Sequence, residues 1–222
     1  KSLRHRAFYR LFGVREKDLV TLGGECPWTI CPRGLNESSV VYSAGVGGDI
    51  SFERELVERF DCEVWLLDPS EVGIKTMELE ENRHHKIHFE ALALVNAAGR
   101  SEKRAHVAED GFVTMGTGEA ENEALPSTSL ERLMQANGHS RIDLLKMDIE
   151  GFEYGVLDQI FKERIPVSQI CVELHQRPHL DIPKRKKIEA ILKLRMRGFG
   201  LVHQVYCDHT FLRKGNEPVV RG

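Results

Sequence analysis

Residues Val40 to Glu53, Val-Val-Tyr-Ser-Ala-Gly-Val-Gly-Gly-Asp-Ile-Ser-Phe-Glu, narrow the choice of fold more than any other part of the chain. The β-branched and aromatic run suits a strand buried on both faces. Three glycines then break it, and Phe52, Leu56, Val57 and Phe60 fall on one face of a following helix. Glycines at such a turn let backbone N–H groups come close to a ligand, and the helix N-terminus behind them favours anionic groups. The turn is therefore a candidate nucleotide site. Its spacing is Gly-x-Gly-Gly, not the Gly-x-Gly-x-x-Gly of dinucleotide sites, so the turn alone does not name the ligand.

A second buried-strand pattern, Val64 to Leu67, closes on Asp68-Pro69-Ser70. Asp68 follows Gly45 by 23 residues. That is near the offset of about 20 at which an acid at the end of the second strand accepts hydrogen bonds from a ribose diol. The competing reading is that Asp68 only starts the next helix.

A chain of 222 residues that is 41% hydrophobic fits one large α/β domain, residues 36–222, preceded by a basic helix and a Cys/Pro/Gly loop over residues 1–35. Its net charge of −3 gives no basic field for nucleic acid, which is not an expected partner. No apolar run approaches the roughly 18–20 residues of a membrane span, and no secretory segment is visible. The cytoplasm is the favoured compartment, although a first residue that is Lys leaves an upstream targeting or anchoring segment open. Arg4, Arg6, Arg10, Arg15 and Lys17 alternate with Leu3, Phe8, Leu11 and Phe12, which predicts a short amphipathic helix packed on its own domain or on a second subunit of a homodimer.

The five cysteines are scattered. Cys62 and Cys171 fit as small core residues, while Cys26 and Cys31 lack a zinc-ligand spacing and are read as free thiols, a disulfide in an oxidising compartment being the alternative. His84, His85 and His88 have no carboxylate or cysteine completing a ligand set, so no metal site is expected.

Further on, Ser70 caps a helix to about Glu81, Ile87 to Val95 gives a third strand, and Asp110-Gly111 marks a hairpin between Arg104–Ala108 and Phe112–Met115. Residues 116–126 read as a mobile loop. Thr128-Ser129-Leu130-Glu131 has capping-box form and opens a helix closed by Asn137-Gly138. The strand Ile142 to Met147 then delivers Asp148, Glu150 and Glu153 to its carboxyl end. Ligands of open parallel sheets sit at such ends. Acids at the start of a helix also interact favourably with its dipole, which accounts for Glu150 and Glu153 more readily than for Asp148. The next strand, Gln169 to Leu174, brings Glu173 and His175 to the same edge, where an imidazole can serve as general base. Pro183 opens a helix with Ile188, Ile191, Leu192 and Leu194 apolar and Lys184 to Lys187 as a solvated basic face. Two strands, Phe199–Tyr206 and Thr210–Leu212, pair antiparallel at the end.

Strand and helix alternate five times before that closing hairpin, the pattern of a doubly wound sheet. Val41 to Phe52 and Leu144-Leu145-Lys146-Met147-Asp148-Ile149-Glu150-Gly151-Phe152-Glu153, with Ser129-Leu130 before and Val172-Glu173-Leu174-His175 after, resemble the FkbM family of S-adenosylmethionine-dependent methyltransferases, in its eukaryotic-type branch. The resemblance implies an α/β, Rossmann-like class I methyltransferase fold: a mostly parallel seven-stranded sheet with one antiparallel strand near the C-terminus. It implies S-adenosyl-L-methionine as cofactor and O-methylation of a hydroxyl on a sugar, glycan or other small molecule. By the same resemblance Gly45, Val46, Gly47 and Gly48 line the methionine and ribose, with Ser43, Asp49 and Pro69 nearby. Asp68 holds the ribose, and the loop of Ala91, Leu92, Ala93 and Leu94 borders the adenine. Asp148 lies by the sulfonium and acceptor, with Lys146, Glu150 and His175 as further catalytic candidates.

One position departs from the family pattern. Ser43 stands where many methyltransferases carry an acid, and Asp49 or Asp148 would have to supply the missing charge. Two other readings fit parts of the pattern. One is an NAD-dependent oxidoreductase, against which the glycine spacing counts. The other is a cofactor-binding Rossmann protein without activity, to which Ser43 lends weight. Magnesium held by Asp148 and Glu150 is a variant of the methyltransferase reading that too few acids at ligand spacing support.

Overall fold

The computed structural model describes residues 13–96, 105–107, 113–115, 126–175 and 182–214. Its centre is a seven-stranded sheet: β1 (Val40–Ala44), β2 (Glu63–Leu67), β3 (Ile87–Glu90), β4 (Ile142–Met147), β5 (Val167–Glu173), β6 (Phe199–Val205) and β7 (Asp208–Arg213). The spatial order is β6-β7-β5-β4-β1-β2-β3. All pairs within β5-β4-β1-β2-β3 are parallel, and β7 runs against both of its neighbours. This is the Rossmann-like sheet with one reversed strand that the alternation of patterns implies.

Among the described residues, five α-helices cross over it: α1 (Ser51–Phe60), α2 (Glu71–Glu78), α3 (Leu130–Asn137), α4 (Glu153–Glu163) and α5 (Lys184–Met196). Successive strand residues point to opposite faces, and here both faces are covered. Tyr42, Trp65, Leu145 and Ile170 pack with apolar residues of α3, α4 and α5. Val41, Val64, Leu144 and Cys171 pack with Phe52, Leu56 and Val57 of α1.

The helix boundaries follow local chemistry. Ser70 Oγ accepts from Gly73 N–H and Ser129 Oγ accepts from Arg132 N–H. Gly138 closes α3 at φ 69°, a left-handed conformation that glycine adopts without strain. The expected hairpin exists as Ala105–Val107 paired with Val113–Met115. The expected loop over 116–125 and most of the N-terminal helix lie outside the described residues.

Four expectations are corrected. Residues 13–19 are not helical; Val14 N–H instead donates to Leu201 O at 2.7 Å, along β6. The segment from Gly23 to Leu35 is not wholly irregular, because Trp28–Ile30 pairs with Val20–Leu22 in an antiparallel ribbon. Gln169 fixes that ribbon to the sheet: its amide accepts from Cys31 N–H at 2.7 Å and donates to Cys31 O at 3.1 Å. On α5 the core takes Ala190, Ile191 and Leu194, while Ile188 and Leu192 face solvent at 47% and 42% exposure. Finally, Lys187 is buried and donates to Tyr206 O, so the basic run is not uniformly solvated.

Candidate functional site

Strand register builds the site. Ala44 is level with Leu67 on one side and Met147 on the other, Met147 with Val172, and Glu173 with Asp208. The residues following these strand ends, Gly45, Asp68 and Asp148, together with Glu173 and Asp208, therefore emerge along one edge. The chain order reverses between β1 and β4, so the edge contains the topological switch point at which doubly wound sheets bind ligands.

A cavity opens there. Its lining includes Gly45, Val46, Gly47, Gly48, Asp49, Asp68, Pro69, Ala93, Leu94, Lys146, Asp148 and Glu150, all expected from sequence. It also includes Trp28 and Cys26 of the ribbon and Glu53 of α1. Ser43, Ala91, Leu92 and His175 are not on its wall. Ala91 is exposed, Leu92 packs against the core, and Ser43 is fully buried.

Gly45 is what lets the tips of β1 and β4 close on each other. Its φ is 87°, and a β-carbon there would lie 1.8 Å from the carbonyl oxygen of Asp148. Asp148 N–H donates to Ala44 O at 3.0 Å across that contact. Asp68 then organises the turn. Its Oδ2 accepts from the N–H groups of Val46 and Gly47 at 2.9 and 3.0 Å, and its Oδ1 accepts from Ser70 N–H at 2.8 Å. Asp68 thus lines the cavity and also shapes the start of α2. Asp49 ties the turn to the ribbon by accepting from Ser51, Glu25 and Cys26 N–H groups. Those hydrogen bonds hold its carboxyl below the usual range against the opposing effect of burial.

The departure at Ser43 is answered from the helix. Ser43 Oγ donates to Glu53 Oε1 at 2.5 Å, and Glu53 is 2% exposed while still reaching the cavity wall. Lys146 Nζ stands 4.0 Å from the same oxygen and donates to Gly45 O. A carboxylate is therefore present beside the serine, delivered by α1 and not by β1. Neither Asp49 nor Asp148 supplies it.

Behind the wall lies a second constellation. His175 Nδ1 is 2.8 Å from Glu153 Oε1, and its Nε2 is 3.3 Å from Glu150, 3.6 Å from Glu173 and 3.9 Å from Asp148. Glu153 is fully buried and also accepts from Ile149 and Gly151 N–H, which fixes the turn between β4 and α4. Tyr154 Oη donates to His175 O at 2.7 Å. Burial would lower the His175 pKa, but the hydrogen bond to Glu153 and the charges of Glu153, Glu173 and Glu150 outweigh it and push it up to about 9. Burial, then the charge of Asp148, raises Glu173 to about 8 and Asp208 to about 6. Asp148, Glu173 and His175 offer one ligand atom each, all within 4.8 Å of one another. The histidines at 84, 85 and 88 form no such group: the rings of His84 and His85 lie 4.4 Å apart, tilted by 31°, and His88 stacks on Trp65.

Proteins named "Probable methyltransferase-like protein 24" from Homo sapiens and from Rattus norvegicus are each 23% identical over 159 residues, 67% of this chain and 38% of theirs. The chain thus spans less than half the length of those relatives. Among solved structures, a Methanococcus jannaschii fibrillarin pre-rRNA processing protein superposes with a TM-score of 0.45 at 13% identity, covering 91% of this chain and 86% of that one. A model of the methyltransferase FkbM domain matches residues 37–200, a span that holds the glycine turn, Asp68 and the acid-bearing tip of β4. The chain belongs to the FkbM methyltransferase family.

Proposed function

We propose that this chain uses S-adenosylmethionine to methylate oxygen, on a hydroxyl of a sugar or other small molecule. The observation that carries the reading is the convergence of the glycine turn, Asp68, Glu53 and Asp148 on one cavity at the switch point. The donor set fits the cofactor. Asp68 has three backbone donors and a carboxylate has about four acceptor positions, which leaves room for a ribose hydroxyl. Ala93 and Leu94 give an apolar wall suited to an adenine, and Glu53 offers a buried negative charge suited to an ammonium. The cofactor, when bound, supplies a methyl group already activated on a sulfonium.

The protein's work is then to align the acceptor oxygen with that carbon and take its proton. His175 is a poor proton acceptor at neutral pH, because the surrounding carboxylates keep it protonated. Asp148, whose side chain is 36% exposed on the cavity wall, is the better placed base, with His175 steadying the acids behind it.

Calorimetry with S-adenosylhomocysteine and with NAD tests the cofactor. Glu53→Gln should weaken S-adenosylhomocysteine about tenfold or more, by loss of a buried charge-assisted contact. Ser43→Ala, whose hydroxyl is turned to Glu53, should leave affinity within about threefold, well under a typical hydrogen-bond loss. Binding of NAD in place of S-adenosylhomocysteine would overturn the reading. Cofactor binding without a one-methyl mass gain on any of a panel of glycans and hydroxylated metabolites would favour the inactive alternative.

A further inference from the structure

We propose that Asp148, Glu173 and His175 form a binding site for a divalent cation of the Mn²⁺ type at the inner edge of the cavity. The inference rests on the methyltransferase reading only for what the ion does, not for whether it binds.

The geometry is that of a ligand set one small adjustment from closure. Two ligands about 2.1 Å from one ion stand about 3.0–3.4 Å apart at right-angled or tetrahedral positions. His175 Nε2 lies 3.6 Å from Glu173 Oε1 and 3.9 Å from Asp148 Oδ1, so shifts of a few tenths of an ångström, well within reach of a partly exposed carboxylate, suffice. Two carboxylate oxygens and one imidazole nitrogen suit Mn²⁺ and its neighbours better than the all-oxygen preference of Ca²⁺ or Mg²⁺.

An independent observation is how His175 is held. It is 6% exposed, and Glu153 Oε1 takes Nδ1 at 2.8 Å, which leaves Nε2 directed at Glu150, Glu173 and Asp148, where an ion would replace the proton that Nε2 carries in its absence. A metal-ligating histidine commonly has its second nitrogen bound to a carboxylate, which fixes ring orientation and tautomer. Glu153 is itself fully buried and pinned by two backbone N–H groups, so this outer support is rigid. Asp148 belongs to both the cavity wall and this set, so an ion at this point would occupy the carboxylate that otherwise serves as base and would take over its task by acidifying an acceptor hydroxyl held beside the methyl donor.

The test is titration of the chelator-stripped chain with MnCl₂, read by the electron paramagnetic resonance of free Mn²⁺. One saturable site per chain is expected. Glu173→Gln and His175→Ala should each abolish it, and Glu153→Gln should weaken it about 10–100-fold. A purely structural role for Glu153 would lower the melting temperature and leave Mn²⁺ affinity unchanged. No saturable site in the wild-type chain, or a site untouched by both ligand substitutions, would overturn the proposal. Calorimetry with S-adenosylhomocysteine on the same stripped protein reports the cofactor reading separately: retained cofactor binding without Mn²⁺ binding sinks this inference alone, and the reverse sinks only the other.

Discussion

Removing the Asp68 carboxylate should damage both the fold and the cofactor site, by amounts the structure allows one to work out. The side chain is 6% exposed and accepts from three backbone N–H groups, those of Val46, Gly47 and Ser70. In Asp68→Ala those donors lose a charged acceptor. A buried donor left without a partner costs about 1–3 kcal/mol. The cavity beside the turn can admit water to recover part of that, so a net loss of about 2–4 kcal/mol is expected. For a domain of this size that lowers the melting temperature by roughly 6–12 °C. Affinity for S-adenosylhomocysteine should fall by a further about 1–3 kcal/mol, or roughly 5–150-fold, as a charged hydrogen bond to ribose is lost. Urea denaturation gives the first quantity and calorimetry the second. Wild-type stability would refute the account of the turn, and wild-type affinity in a folded variant would refute the ribose assignment.

Gly45→Ala should be worse, because its β-carbon would meet the Asp148 carbonyl at 1.8 Å and force apart the tips of β1 and β4. A loss above about 4 kcal/mol, at the extreme for single substitutions, is expected in denaturant melts, and a near-native midpoint would contradict the packing described. Gln169→Ala strips both partners from the buried Cys31 peptide groups and should cost about 2–4 kcal/mol, with faster exchange of the Cys31 amide; unchanged exchange would show that the ribbon is held otherwise. In metal-free buffer, stability should fall as pH rises. The folded pKa of His175 is raised from 6.5 to about 9, so its contribution is complete below pH 6.5 and lost on the way to 9. Glu173, raised from 4.5 to about 8, likewise favours its protonated form and loses that contribution over the interval between those values. Melting temperatures that rise from pH 6.5 to 9, or a His175→Gln variant with the wild-type slope, would contradict the cluster's electrostatics.

The wall of the cavity was largely legible before any coordinates, since strand ends and glycine turns announce themselves locally. Glu53 on that wall was not, and Glu153 behind it was read only as an acid at a helix start. Glu53 begins the stripe Glu53, Leu56, Val57, Phe60, and Glu153 begins Glu153, Val156, Leu157, Ile160. Both sit in line with the apolar face of their helices, and both are buried, at 2% and 0% exposure. A carboxylate at the head of an apolar stripe was a readable signal for a buried, partnered charge. The ribbon carrying Trp28 gave no comparable sign, because three-residue strands in a Gly- and Cys-containing segment have too few positions to show a period.

Periodicity and turn chemistry are properties of neighbouring residues, so the amino-acid order alone settled the alternation of strands and helices, the caps, and the presence of acids at strand ends. Which strand lies beside which depends on pairing between segments about a hundred residues apart, as when Val41 meets Leu144. Only that register decided that Asp68 clasps the turn after β1 and that His175 turns its imidazole to the acids instead of to the cavity. Burial removed water from those groups, and without water each had to find its partner within the protein.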